Sequence, residues 1–315
     1  MKVTKATRWR VFAGVWLQSL FTSATAFFSL FCIPLTTQFG WSDSDFALAY
    51  TIYMFVYCAV GFIGGSLAER LSPRVTIYIG LCLFAGGWIL TGFATTIPQL
   101  YLFYGLLAGA GGGMISPACL PTALKWFPDR SGSISGLVQA GASCGPFIMS
   151  PIAQAMINSL GAQMTCRVLG IVFLIGVGAV AWMIVPCPED WVPEGWKPSE
   201  SQAKVLKTRD YNLGQMVKTP VFWVLLVMFI FANAAGTMMV SFTSPIAQRQ
   251  VGQDAMTAAL CVSIMTLSNM CGRIGFGFIY DILKGWKSLI LLMVINGASM
   301  PVSYTHLTLP TTSRV

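Results

Sequence analysis

The sequence predicts an all-α transmembrane protein, a complete six-helix amino-terminal bundle followed by an incomplete second bundle, on three observations. Of its 315 residues 55% are hydrophobic and 10% charged, whereas a soluble domain carries roughly a quarter charged residues. The charges are clustered, leaving apolar runs at about 11–35, 46–68, 75–93, 100–124, 133–157, 167–186, 220–243 and 256–280, and one beginning near 288. A polar stretch rich in Pro, Glu, Lys and Ser, from Pro186 to Thr219, separates the sixth run from the seventh. A helix needs about 20 residues to cross about 30 Å of hydrocarbon. With no water to satisfy free backbone groups, a span is a helix or part of a closed barrel, and runs of this length are helices.

The first run follows Lys2, Lys5, Arg8 and Arg10 and contains Ala24-Thr25-Ala26, a signal-peptide-like start. It continues to Leu35, too long for a signal core, and is read as a retained helix. Its Phe27, Phe28 and Phe31, ahead of Pro34, either wall a substrate cavity or pack between helices. The fourth and fifth runs hold Gly105, Gly109, Gly111, Gly112, Gly113, Gly141 and Gly145 with Pro117, Pro121, Pro146 and Pro151, marks of close packing and bending. The ninth run stops at Met300 after about 13 residues, roughly 20 Å of helix, too short to cross. The threonine-rich stretch Val302–Thr312 resembles the translation of a transposase adapter used in sequencing libraries, and 301–315 is read as an artefactual tail. His306, which falls in it, is given no chemical role. The expected organisation is therefore a bundle at 1–186, a cytoplasmic linker at 187–219 and an incomplete bundle at 220–300.

Lysine and arginine set the orientation, because short translocated loops avoid them. Fifteen of the nineteen basic residues, among them Arg70, Arg74, Lys125, Arg130, Lys218 and Lys287, fall on one side, and only Arg167 and Arg249 on the other. The amino terminus is expected in the cytoplasm, in a plasma or inner membrane. The net charge of +8 is split among short loops, so no nucleic-acid partner is expected. Trp9, Trp41, Trp126, Trp223 and Trp286 sit at run ends, as headgroup anchors or as fillers between helices. Nine cysteines without a C-x-x-C pair imply neither a metal site nor a disulfide framework. No strand precedes Gly109–Gly113 and no phosphate-binding G-x-x-x-x-G-K-[ST] occurs, so neither a cofactor nor ATP drive is expected. No nucleophile–base pair suggests a catalytic group.

The second run ends Gly65-Ser66-Leu67-Ala68-Glu69-Arg70-Leu71-Ser72-Pro73-Arg74, and the eighth ends with the analogous Gly277-Phe278-Ile279-Tyr280-Asp281. The first of these resembles the cytoplasmic signature of the major facilitator superfamily, with Glu for Asp and Ser-Pro in its glycine region. A carboxylate facing a partner helix amino terminus, beside arginines, can latch one side shut. Gly65, Glu69, Arg70, Arg74 and Asp281 are the expected gate. A closer resemblance, to the oxalate/formate antiporter family, covers nearly all of residues 10–300. It rests on Phe39-Gly40-Trp41-Ser42, Trp126-Phe127-Pro128-Asp129-Arg130, Met216 through Trp223 and Asn269-Met270-Cys271-Gly272-Arg273. It implies a twelve-helix carrier of small carboxylates working by alternating access.

Arg273 lies about eight residues before Asp281, roughly 12 Å into the membrane. An arginine there costs about 2.5–3.5 kcal/mol on insertion scales and ordinarily faces a cavity. Its planar fork matches a carboxylate with two hydrogen bonds. The resemblance implies that this arginine binds the anionic substrate. It also implies tyrosines in the cavity where this chain has Ser116 and Ala142, hence a larger or less aromatic site than one for oxalate. The spans of the first bundle have no Asp or Glu away from their ends, which favours anion exchange over a carboxylate proton relay. The rivals are a carrier of another cargo, such as an amphiphilic drug, and a transporter-like sensor. The expected partners are the lipid bilayer and the anion, with a monomer as the working assembly.

Overall fold

The computed structural model describes residues 5–188, 191, 193, 213–231, 255–283 and 285–308. Most of the expected linker and the residues after 308 lie outside them. The described elements are helical. The first span is made of α1 (Lys5–Thr22), a 3-10 stretch at Ser23–Phe31 and α2 (Cys32–Phe39). Nine residues of 3-10 helix inside a span is long, and such stretches mark hinges or strain. Gly40, at φ 68°, ends the span in the left-handed conformation that glycine adopts without steric cost. The Ser42 side chain then caps α3 (Asp43–Arg70), accepting from the Asp45 N–H at 3.1 Å, while Asp43 and Asp45 complement the helix dipole. Pro73 opens α4 (Pro73–Thr91), where its missing N–H costs nothing.

The fourth span joins α5 (Ile97–Leu100), a π-helical stretch at Tyr101–Ala108 and α6 (Gly109–Trp126); α7 (Ser131–Leu160) and α8 (Ala162–Ala181) follow. Beyond the linker come α9 (Leu213–Met216), α10 (Pro220–Phe231), α11 (Ala255–Leu283) and α12 (Gly285–Thr308). Among the described residues, Thr7–Phe39, Asp43–Arg70, Pro73–Thr91, Ile97–Trp126 and Ala162–Ala181 are long and apolar enough to cross a membrane. The fifth run, read as a span, gives the 30-residue α7, long enough but not among those five. Its Ser133, Gln139 and Ser143 dilute the apolar content, and all three make polar contacts described below.

The ninth run departs from expectation at its end. The sequence suggests a stop at Met300, yet α12 continues to Thr308 and spans 24 residues, about 36 Å. Proline at 301 removes one hydrogen bond and kinks a helix more readily than it ends one. No glycine follows Met300 to provide a left-handed stop.

The chain divides into two compact units, Met1–Trp191 with Asn269–Asp281, and Val192–Ser268 with Ile282–Val315. In the first, α3 and α4 pack on α6, α4 on α8, and α1 on α7. The helices come close because glycine leaves room. A Cβ on Gly64 would lie 2.7 Å from Met114 Cα, and one on Gly87 would lie 2.6 Å from the Ala108 backbone nitrogen. Within the second unit, the Trp223 indole at the start of α10 donates to the Val217 carbonyl at 2.9 Å.

The centre of the first unit is aromatic. Phe28 stacks on Tyr104 at 3.5 Å between ring centroids and on Phe46 at 4.8 Å, with Trp88 edge-on at 6.0 Å. Trp126, expected either as a headgroup anchor or as a filler between helices, is buried and donates to the Val185 carbonyl at 2.9 Å.

Candidate functional site

A cavity of about 440 Å³ lies among α1, the start of the 3-10 stretch, α3, α6 and α7. Gln18 and Thr22 reach it from the first span, Tyr53 and Tyr57 from α3, Ser116 and Cys119 from α6, and Gln139 and Ala142 from α7. Most of the wall is apolar, and the polar side chains on it are uncharged among the described residues. Several of its polar groups are tied locally: Gln18 Nε2 donates to Thr22 Oγ1 at 2.9 Å, and Thr22 Oγ1 donates to the Gln18 carbonyl at 3.0 Å. Tyr53 is 1% exposed and its hydroxyl has no hydrogen-bond partner, an orphaned donor on the cavity wall.

Ser116 and Ala142 thus both line the cavity. Phe27, Phe28 and Phe31 do not; at 2%, 1% and 0% exposure they belong to the aromatic centre. The 3-10 stretch sets this outcome, since side chains three apart eclipse each other and Phe28 and Phe31 project together toward Trp88.

Arg273 projects from α11 beside α7. Its Nε donates to Asn269 Oδ1 at 2.9 Å, and its Nη1 lies 3.4 Å from the carbonyl of cavity-lining Gln139. Across the same contact, the Ser143 hydroxyl of α7 lies 3.4 Å from both Asn269 Oδ1 and the Gln139 carbonyl, two acceptors for one hydrogen. Among the described residues no carboxylate pairs with Arg273; the ion pairs there join Asp129 to Arg8 and to Arg130. Arg273 does not itself line the cavity; it meets the wall through the Gln139 carbonyl, and its acceptors among the described residues are neutral.

The expected gate residues separate. Asp281 accepts from the N–H groups of Gly132 and Ser133, each at 2.7 Å, and from the Ser133 hydroxyl. These are the free donors at the start of α7, where a carboxylate also meets the positive end of the helix dipole. Glycine makes the approach possible: a Cβ on Gly277 would stand 2.6 Å from the Gly132 carbonyl, and the bare face of Gly136 admits the Arg273 carbonyl.

In the copy after α3, the crowded glycine is Gly64; a Cβ on Gly65 would meet only Pro117 at 3.8 Å. One residue turns a helix by about 100°, so Gly64 faces α6 and Gly65 does not. Glu69 and Arg70 are exposed and form no ion pair among the described residues. Arg74 donates through Nε to the Ile184 carbonyl at 3.2 Å and through Nη2 to the Trp182 carbonyl at 2.9 Å. It ties the start of α4 to the end of α8 and does not pair with Glu69, because the carbonyls left free at the end of α8 are the nearer acceptors.

Sequence reasoning missed two contacts. Arg8, read only as a topology marker, pairs with Asp129 and lies 3.9 Å over the Phe127 ring. Trp126-Phe127-Pro128-Asp129-Arg130 was the available signal, since an aspartate and an aromatic ring side by side suit an arginine. Asn269 stood in a recognised motif but without a role; its spacing of four from Arg273, one helical turn, was the clue.

The sequence profile described as Major Facilitator Superfamily matches residues 12–313. The chain is 27% identical over 286 residues to the oxalate:formate antiporter of Oxalobacter formigenes, covering 90% of this chain and 65% of that protein. It is 27% identical over 313 residues to monocarboxylate transporter 12 of Mus musculus, covering 91% of this chain and 64% of that one. It therefore spans somewhat less than two thirds of the length of these relatives. Among solved structures, that of FucP, a transporter in the outward conformation, aligns with a TM-score of 0.62 at 18% identity, over 86% of this chain and 71% of FucP.

Proposed function

The chain belongs to the Major Facilitator Superfamily, and from that premise we propose that it forms part of a secondary carrier that moves a small organic anion, a mono- or dicarboxylate, by alternating access. The protein is a multi-pass membrane protein. Its basic loops favour a cytoplasmic amino terminus.

One observation carries the reading: Arg273, unpaired by any carboxylate among the described residues, contacts the carbonyl of Gln139, a residue of a cavity wall that holds no charged side chain among the described residues. A cation placed within the membrane without a counter-ion is costly. A passing carboxylate relieves that cost and gains two hydrogen bonds from one planar group. A volume of about 440 Å³ lies within the range usual for small-molecule sites. The printed names of the two relatives, an oxalate:formate antiporter and a monocarboxylate transporter, point to the same class of cargo. With no acidic group on the cavity wall among the described residues to take up a proton, exchange of one anion for another is the favoured mode.

In this reading Asp281 is a latch, holding the end of α11 against the start of α7 when the cytoplasmic side is closed. Cargo shifts the equilibrium between states only by binding one better than the other. The test is uptake of labelled carboxylates into liposomes containing the full-length carrier. Arg273→Lys and Arg273→Gln are expected to abolish uptake while leaving insertion intact. Undiminished uptake in either variant would overturn the assignment, and binding without flux would favour a sensor.

A further inference from the structure

Resting on the anion reading of Arg273, we propose that Asn269 is a positioning residue that aims the guanidinium at the cargo without neutralising it. An arginine on a helix has four rotatable bonds and can lie in many directions. Here its Nε donates to Asn269 Oδ1, one turn earlier on α11, at 2.9 Å, and the Ser143 hydroxyl of α7 lies 3.4 Å from both Asn269 Oδ1 and the Gln139 carbonyl, able to donate to either. With Nε engaged and Nη1 near the Gln139 carbonyl, the guanidinium plane is set and Nη2 has no protein acceptor among the described residues.

The chemical identity of the tether is the central point. An asparagine accepts the Nε–H bond as a neutral group. An aspartate of the same shape would accept it too, but as the first carboxylate in the site, occupying the charge that the cargo needs. Asn269 thus separates two tasks that a carboxylate would merge, orientation and charge compensation. The Ser143 contact links this orientation to α7, the helix whose start Asp281 holds. Movement between α7 and α11 would loosen Arg273 as well as the latch.

The experiment compares KM and maximal rate for labelled carboxylate exchange in the reconstituted full-length carrier, using Asn269→Ala, Asn269→Asp and Arg273→Gln. Loss of the tether in Asn269→Ala is expected to raise KM about tenfold, the scale of one charge-assisted hydrogen bond. Asn269→Asp, although isosteric and still an acceptor, is expected to be worse, raising KM about a hundredfold, with partial recovery as the pH is lowered and the carboxylate protonates. A purely structural role predicts the opposite order, because Asp preserves the shape of Asn and Ala does not. Asn269→Asp equal to or milder than Asn269→Ala, or wild-type KM in both, overturns the proposal.

Should either variant fail to insert, Ser143→Ala carries the test. It leaves α11 untouched, and its KM is expected to rise about threefold; an unchanged KM overturns the role. Arg273→Gln separates the two layers of the inference. Uptake surviving there removes the anion reading itself, whereas loss there combined with wild-type KM in the Asn269 variants removes only the positioning.

Discussion

Removing the Asp281 carboxylate should release the contact between α7 and α11, and the structure allows the size of the effect to be worked out. Asp281 accepts two backbone N–H bonds at 2.7 Å and one hydroxyl bond. Hydrogen bonds to a charged group contribute about 1.5–3 kcal/mol each when shielded. Asp281 is partly exposed, and the donors it leaves can be rehydrated, so a net of about 2 kcal/mol for all three is the appropriate scale. That is about a 30-fold shift in the ratio of closed to open states on the cytoplasmic side. The assay is labelling of one cysteine, placed by Ser116→Cys in a background where the nine native cysteines are replaced. A membrane-impermeant maleimide is added to inside-out vesicles. Asp281→Ala should raise the labelling rate up to about 30-fold, and Asp281→Asn, which keeps one acceptor oxygen, by less. An unchanged rate in a folded Asp281→Ala protein would refute the latch.

Two further outcomes follow from the cavity and its neighbours. Phe28→Ala should lower stability by about 3–5 kcal/mol, the usual cost of emptying a buried aromatic site, seen as a fall in the unfolding midpoint in detergent with KM for the anion unchanged. Ser116→Tyr combined with Ala142→Tyr should narrow the cavity and shift preference at least about tenfold toward a two-carbon dicarboxylate over larger carboxylates, read by competition against labelled uptake.

Much of the architecture was legible because a lipid solvent simplifies the signal: length and apolarity alone mark a span, and the runs at 46–68 and 75–93 became α3 and α4 with only their ends adjusted. Ends were harder. α12 runs past Met300 because polar side chains do not by themselves stop a helix whose backbone bonds are made internally. The polarity of α7 has the opposite cause, since a helix beside a cavity need not be apolar on every face.

At the site, Arg273 stood out because a cation within an apolar run is rare. Asn269 did not, because an amide acquires meaning only from what lies opposite it. The roles of Phe27, Phe28 and Phe31 depended on how the backbone twists over Ser23–Phe31, and the choice between Gly64 and Gly65 depended on which way α3 is rotated. Neither rotation nor twist is written in composition.

At Gly64 and Gly87, neighbouring backbones lie so near that a single added methyl carbon would collide. Chains meshed that tightly cannot slide past each other, so the second, third and fourth spans behave as one solid block. Whatever bending accompanies a turnover must be absorbed by softer material. The overwound middle of the first span, which borders the cavity at Ser23, is suited to that duty.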